Sequence, residues 1–194
     1  MSAGPELGAE RAAHLIAQRE ARHAAGLARL NALSDAEARE ALGRCCGAAR
    51  WVEAMAARRP FASSWSLIIT ARAEWVKADR AEILEAFGHH PRIGDLDSLR
   101  RKFSSTAAWA SDEQKGAEGA SEQALRDLAA GNAEYEAQFG WIFIVCATGK
   151  NAAELLALLW ERLENPPEVE LKIAAAEQEK ITRLRLEKLL EGAR

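Results

Sequence analysis

The sequence predicts an all-α protein, a single-domain compact bundle of several helices. Three observations predict it. β-branched residues are sparse, and alanine and leucine supply much of a 48% hydrophobic share, a composition that favours helix over strand. Helix start signals recur along the chain, at Ser34 with Glu37, at Ser111 with Gln114, and at Asn151. Only one run, Trp141 to Cys146, is strongly β-like, and a lone strand is unstable. A length of 194 residues fits one domain, and such a chain can bury roughly 70% of its unfolded surface without staples.

The elements follow in order. Residues from about Ala9 to Leu30 are rich in Ala, Arg and Glu and read as a helix with a weak, mostly alanine packing face. We read residues 1–26 as an N-terminal extension and 27–194 as the main domain. Ser34 and Glu37 open a helix that runs to about Arg44. Trp51 to Arg59 is short and helical, and Arg59-Pro60-Phe61 interrupts it. Ser66 to Ala78 carries Leu67, Ile68, Ala71 and Trp75 at helical spacing. Arg80 to Phe87 stops at Gly88, read as a C-cap. The stretch His89 to Asp95 is polar, and Pro91 biases His90 to an extended backbone. Ser111 to Gln114 forms a capping box with acids where the helix dipole favours them. Ser121 to Phe139 reads as one long helix ended by Gly140. Trp141 to Cys146 then reads as a buried extended segment whose backbone groups need partners other than a neighbouring strand. Asn151 caps a leucine-rich helix that Asn165-Pro166-Pro167 ends. The last helix covers about Glu168 to Leu190.

Composition bounds the function classes. The net charge of −3 gives no basic footprint for nucleic acid. No apolar run reaches the length of a membrane span, and Met1 to Glu10 has no apolar signal core. The three cysteines are Cys45, Cys46 and Cys146. Their odd number and the adjacent pair do not suggest a disulfide framework, and a reducing cytoplasm is expected. The chain ends without a peroxisomal address.

Four constellations are candidates for chemistry. His90 is a candidate because histidine as a residue type can give and take protons near neutral pH, and a loop pinned by Pro91 and released by Gly94 would aim it into a cleft. Its bland alternative is a surface histidine at a helix end. Adjacent His89 and His90 make a poor metal pair, and no Cys/His cluster completes a zinc site, so no metal is expected. Glu113 and Gln114 offer a carboxylate and a two-way amide at a helix N-terminus, a natural anion site, or they simply cap their helix. On a helical wheel Leu171, Ala174, Ile181, Leu184 and Leu189 share one arc, with Arg185 inside it and Arg183 opposite. A charge on an apolar face is costly unless it is paired or faces a ligand. Arg185 therefore binds a carboxylate, joins an internal ion pair, or snorkels. The backbone of Trp141 to Val145 suits a flat polar heterocycle, or it is plain core.

Taken together the residues resemble one family. The elements are Cys45-Cys46-Gly47 with Trp51, then Arg59-Pro60-Phe61, His90-Pro91-Arg92-Ile93-Gly94-Asp95, and Glu113-Gln114. Tyr135 leading to Phe139-Gly140, Arg162-Leu163 with Asn165, and Lys180-Ile181 with Leu184-Arg185-Leu186 complete the set. In this order they resemble 2-oxo-4-hydroxy-4-carboxy-5-ureidoimidazoline (OHCU) decarboxylase over about Leu27 to Leu190. The resemblance implies an all-α fold, a homodimer, no metal and no organic cofactor. It implies decarboxylation of OHCU to (S)-allantoin in urate breakdown, with a small-molecule substrate as the partner. By position it makes His90, Glu113 and Arg185 the catalytic residues, His90 being the acid/base. It puts Pro91, Ala110, Ser111, Asp112, Glu113 and Gln114 against substrate, together with Trp141, Ile142, Phe143, Ile144 and Val145. Departures are Ala110 where serine is common, Trp141 where phenylalanine is usual, and Ile142 where proline is common. The rival readings are a non-catalytic helical interaction module and a ureide hydrolase using His90 and Glu113.

Overall fold

The structure is a computed structural model that describes the backbone of residues 5–90 and 115–192 and the side chains of 11–90 and 122–192. The Ser111–Gln114 capping box and the loop after His90 lie outside the described residues. Among the described residues the chain forms eight helices: α1 (Pro5–Ala32), α2 (Asp35–Gly43), α3 (Ala49–Ala57), α4 (Ser64–Trp75), α5 (Arg80–Gly88), α6 (Lys115–Phe139), α7 (Ala152–Leu163) and α8 (Pro167–Glu191). The all-α expectation is met. The chain divides into two compact units, Met1–Glu82 with Glu179–Arg194, and Ile83–Gln178. The boundaries fall inside α5 and α8, so each of these helices supplies residues to both units.

Local chemistry starts the helices. The Ser34 hydroxyl accepts from Glu37 N–H, and the Glu37 carboxylate accepts from Ser34 N–H at 2.9 Å, closing the capping box of α2. Asn151 and Glu154 do the same for α7 at 2.9 and 2.8 Å. At α4 the box is Ser63 with Ser66, both bonds at 3.0 Å, so this helix begins before the expected Ser66 and ends at Trp75 rather than Ala78. Gly140, at φ 80°, ends α6 as expected. Gly88 is the last residue of α5 and is not among the positive-φ glycines. The helix instead unwinds through tight turns, with His89 N–H on Ala86 C=O at 3.3 Å and His90 N–H on Phe87 C=O at 3.1 Å.

In the first unit, α2 packs on α3, α3 on α4, and α1 on α4. Leu42, Trp51, Met55, Leu67, Leu186 and Leu190 are buried at its centre. Trp51 keeps its indole N–H satisfied by donating to Ala71 C=O at 2.9 Å. Arg59 donates to Leu30 C=O, Leu33 C=O and Asp35 at 3.0, 2.7 and 2.7 Å, which caps the open carbonyls of α1. Asn31 exchanges two bonds of 2.9 Å with the Phe61 backbone and fixes the turn that follows. Glu74, buried between α3 and α4, takes Lys77, Arg58 and Arg50. The Lys77 hydrogen bond, aided by those cations, holds its carboxyl below the usual range against the effect of burial.

The weak packing face expected of the first helix is visible along α1. Residues 11–22 are exposed, with Leu15 and Ile16 open to solvent, and burial begins at Gly26. There the backbones of α1 and α8 approach so closely that a Cβ would sit 1.9 Å from the Leu190 carbonyl oxygen.

This approach predicts a contrast. Gly26→Ala should destabilise by about 1–3 kcal/mol or more, because the obstacle is backbone and cannot rotate away. At roughly 2–4 °C per kcal/mol for a protein of this size, calorimetry should show a clear fall in melting temperature. Gly43→Ala, which meets nothing within 4 Å, should leave it unchanged or raise it slightly.

Candidate active site

The second unit is organised around a buried ion pair. Arg162 of α7 and Glu170 of α8 are 6% and 0% exposed at their side chains. Glu170 receives Arg162 Nε at 2.7 Å and Asn165 Nδ2 at 2.8 Å, and also Arg162 Nη2 and the Tyr135 hydroxyl. Arg162 uses its remaining nitrogen, Nη1, to donate to Ile144 C=O at 2.6 Å. Its guanidinium also lies 4.7 Å from the Phe143 ring centroid. Burial pushes the Tyr135 phenol upward, with Arg162 opposing and Glu170 reinforcing the shift. Tyr135 therefore stays a protonated donor.

Trp141–Cys146 is neither helix nor strand among the described residues, and side chains, the Arg162 of this pair among them, meet its backbone groups. Ile144 C=O is taken by Arg162, Cys146 N–H donates to Glu177 Oε2 at 2.7 Å, and Cys146 C=O accepts Lys150 Nζ at 2.9 Å. Trp141 and Ile144 are buried, while Ile142, Phe143 and Val145 are half-buried. Side-chain donors and acceptors thus replace the ladder of a sheet, which is the arrangement the sequence required.

His90 lies just past α5 and is half-buried. Its Nε2 is 2.5 Å from Oε1 of Gln178 on α8, and Gln178 is fully buried. The histidine is thus held by its ring, and it is not an exposed side chain at a frayed helix end. His90 and Trp141–Val145 belong to the same unit. Pro91, Ala110, Ser111, Asp112, Glu113 and Gln114 lie outside the described residues.

Arg185 belongs to the first unit. It is half-buried and donates from Nη1 to Cys45 C=O at 3.4 Å. Arg183 is exposed and pairs with Glu187 at 3.1 Å, so the two arginines differ as the wheel predicts. The nearby Cys45 thiol is pushed up to about 12, first by burial, with Arg185 and Arg44 opposing. It is a neutral thiol and no nucleophile.

The wheel itself needs correction. Leu171 and Ala174 of the expected arc are buried, but Ile181, Leu184 and Leu189 are only half-buried, and the other buried residues of α8 extend a line at every fourth residue, Glu170, Ala174, Gln178, Thr182, Leu186 and Leu190. At about 100° per residue a step of four drifts by about 40°, so the buried line winds around the helix and no fixed arc describes it. Glu170, Glu177 and Gln178 are the functional candidates the sequence reading missed. For Glu170 and Gln178 the signal was present as polar side chains within that fourfold line, while half-buried Glu177 lies beside it.

Among the described residues no group of three or more His, Cys, Asp or Glu side chains is placed to hold a metal. No helix of the described residues is long and apolar enough to cross a membrane.

Comparison with known proteins gives consistent results. A family profile described as OHCU decarboxylase matches residues 31–187. The chain is 41% identical over 146 residues to the uric acid degradation bifunctional protein TTL of Arabidopsis thaliana, covering 75% of this chain and 45% of that protein. It is 42% identical over 60 residues to 2-oxo-4-hydroxy-4-carboxy-5-ureidoimidazoline decarboxylase of Amia calva, covering 31% and 34% of the two chains. The matches thus span less than half the length of these curated relatives. A crystal structure of OHCU decarboxylase in the presence of (S)-allantoin superposes with a TM-score of 0.61 at 41% identity, covering 76% of this chain and 95% of that one. A crystal structure of (S)-allantoin synthase superposes at 0.59 with 22% identity over 82% and 52% of the two chains, a likeness of fold.

The buried pair predicts a large stability effect. Arg162→Leu strands Glu170 in the core, and breaking a buried pair costs about 3–5 kcal/mol. Arg162→Lys should recover little, because one ammonium cannot reach Glu170, the Tyr135 hydroxyl and Ile144 C=O as the guanidinium does. Chemical denaturation of the two variants checks this.

Proposed function

The chain belongs to the OHCU decarboxylase family, and we propose that it converts OHCU to (S)-allantoin and carbon dioxide, with His90 as acid/base. The observation that carries the reading is the placement of His90, half-buried and held through Nε2 by a fully buried amide. An imidazole can both give and take a proton, and this one is held in a fixed position.

The chemistry balances without a cofactor. The bond from the hydroxyl-bearing ring carbon to the carboxylate breaks, and its electron pair forms a C=C bond as the adjacent ring C=N opens onto nitrogen. That nitrogen takes up one proton. The hydroxyl then loses its proton to become the carbonyl, while the ureido-bearing carbon gains one on a single face. The substrate is its own electron sink, so neither metal nor organic cofactor is required. The protein must orient the carboxylate, stabilise the developing charge and deliver the proton to one side.

In this proposal His90 moves the proton and Glu113 sets its charge. Arg185 contacts a substrate carboxylate or ureide oxygen. Pro91, Ala110, Ser111, Asp112 and Gln114 line the substrate with Trp141–Val145. The half-buried Arg185, against the exposed Arg183, supports its part. The braced irregular segment, with Ile142, Phe143 and Val145 half-buried, supports the role of Trp141–Val145. Residues 27–194 form the catalytic domain, with 1–26 an extension. A homodimer in the cytoplasm completes the proposal, supported by the exposed Trp65 and Ile69 of α4 and by cysteines outside disulfides.

Substrate generated from urate by the upstream oxidation and ring hydrolysis, followed by circular dichroism, tests the reading. The protein should accelerate formation of one allantoin enantiomer. Ring hydrolysis or no acceleration would refute it. His90→Asn should fold normally, lose about 10²–10⁴-fold in rate and yield racemic product, while His89→Asn stays near wild type. Arg185→Ala, verified as folded, should lose roughly ten- to hundredfold in kcat/KM, while Arg183→Ala should lose none. Equal activity of the two arginine variants would remove Arg185 from the site.

A further inference from the structure

We propose that Gln178 is a positioning residue for His90, its side-chain oxygen fixing the tautomer and orientation of the imidazole. The inference rests on the reading of His90 as acid/base and deepens it. Gln178 is 0% exposed, and a buried amide is costly unless its polar atoms are paired. Its neighbours in the buried line of α8 are Ala174 and Thr182, and a residue without polar atoms would need no partner there. Gln178 instead directs Oε1 at His90 Nε2 from 2.5 Å. A carbonyl-type oxygen only accepts, so the neutral ring carries its proton on Nε2. Proton exchange with substrate is thereby assigned to Nδ1, since the hydrogen bond at one ring nitrogen sets the role of the other.

The preceding residue reinforces the argument. Glu177 accepts Cys146 N–H at 2.7 Å. One turn of α8 therefore places both His90 and the end of the Trp141–Cys146 segment, two parts of the proposed site from distant stretches of sequence. Gln178 holds a group that reacts rather than reacting itself.

The test uses the full chain and two readouts. Long-range 1H–15N correlation spectra, with the His90 signals identified by their loss in His90→Asn, report the tautomer of the neutral ring. Wild type should show Nε2–H. Gln178→Leu, confirmed as folded, should lose that preference and lose about ten- to hundredfold in kcat, as loss of a supporting partner typically costs, with KM little changed. Gln178→Glu keeps an acceptor and adds a negative charge, so the Nε2–H form should persist and the His90 titration should move to higher pH. A folded Gln178→Leu with wild-type tautomer and kcat would overturn the proposal. So would an unmoved His90 titration in Gln178→Glu, which decides the matter where the leucine variant fails to fold. Normal activity of His90→Asn would instead sink the acid/base reading, while the spectra would still report whether Gln178 holds the ring.

Discussion

The Ile83–Gln178 unit depends on burying one arginine beside one glutamate. Arg162 and Glu170 are each nearly removed from water, and removing charges from water costs several kcal/mol per ion. The cost is offset because each group is saturated with partners. Glu170 takes Arg162, Tyr135 and Asn165, and Arg162 also serves Ile144 C=O. The return is geometric. A stretch of backbone between α6 and α7 that is neither helix nor strand has a carbonyl met by a rigid planar donor, where an apolar core would leave it without a partner. The proposed substrate wall at Trp141–Val145 therefore inherits its shape from residues that need never touch substrate.

What the sequence showed was local. Capping boxes span three residues, so Ser34 with Glu37, and Asn151 at the start of α7, could be read from residue types alone. Two further boxes escaped, one of them, Ser63 with Ser66, lacking the usual Glu or Gln. Ser63 with Ser66 moved the start of α4, and Asp79 with Glu82, bonded at 2.9 and 3.0 Å, opens α5. Gly140 took its left-handed conformation and Gly88 did not. The difference follows the backbone at each helix exit, which a glycine permits and does not dictate.

Long-range pairing was not legible, and it defines much of the candidate site. His90 and Gln178 are 88 residues apart, and Arg162 and Ile144 are separated by 18. The resemblance carried His90 and Arg185 by position but said nothing of what holds them. The wheel reading of α8 sorted Arg185 from Arg183 correctly and still mistook the buried face. A single arc assumes that one core lies along the whole helix, whereas α8 supplies residues to two units.

That winding line has a consequence for catalysis. A helix that packs on one core needs only one apolar stripe, and polar residues on it are errors unless satisfied. On α8 three such residues, Glu170, Gln178 and Thr182, are buried at fourfold spacing among Ala174, Leu186 and Leu190. Two of them have defined tasks: Glu170 anchors the arginine that braces the irregular segment, and Gln178 grips the histidine. Because both are fixed on one helical rod, the distance between brace and grip is set by helix geometry rather than by loops. A reaction that needs a proton delivered to one face of a flat ring requires a donor whose position does not wander. Rigidity of this kind is what a helix supplies and a loop does not. The polar residues of α8 thus cost core stability and provide the fixed geometry that the proposed stereoselective proton transfer would demand.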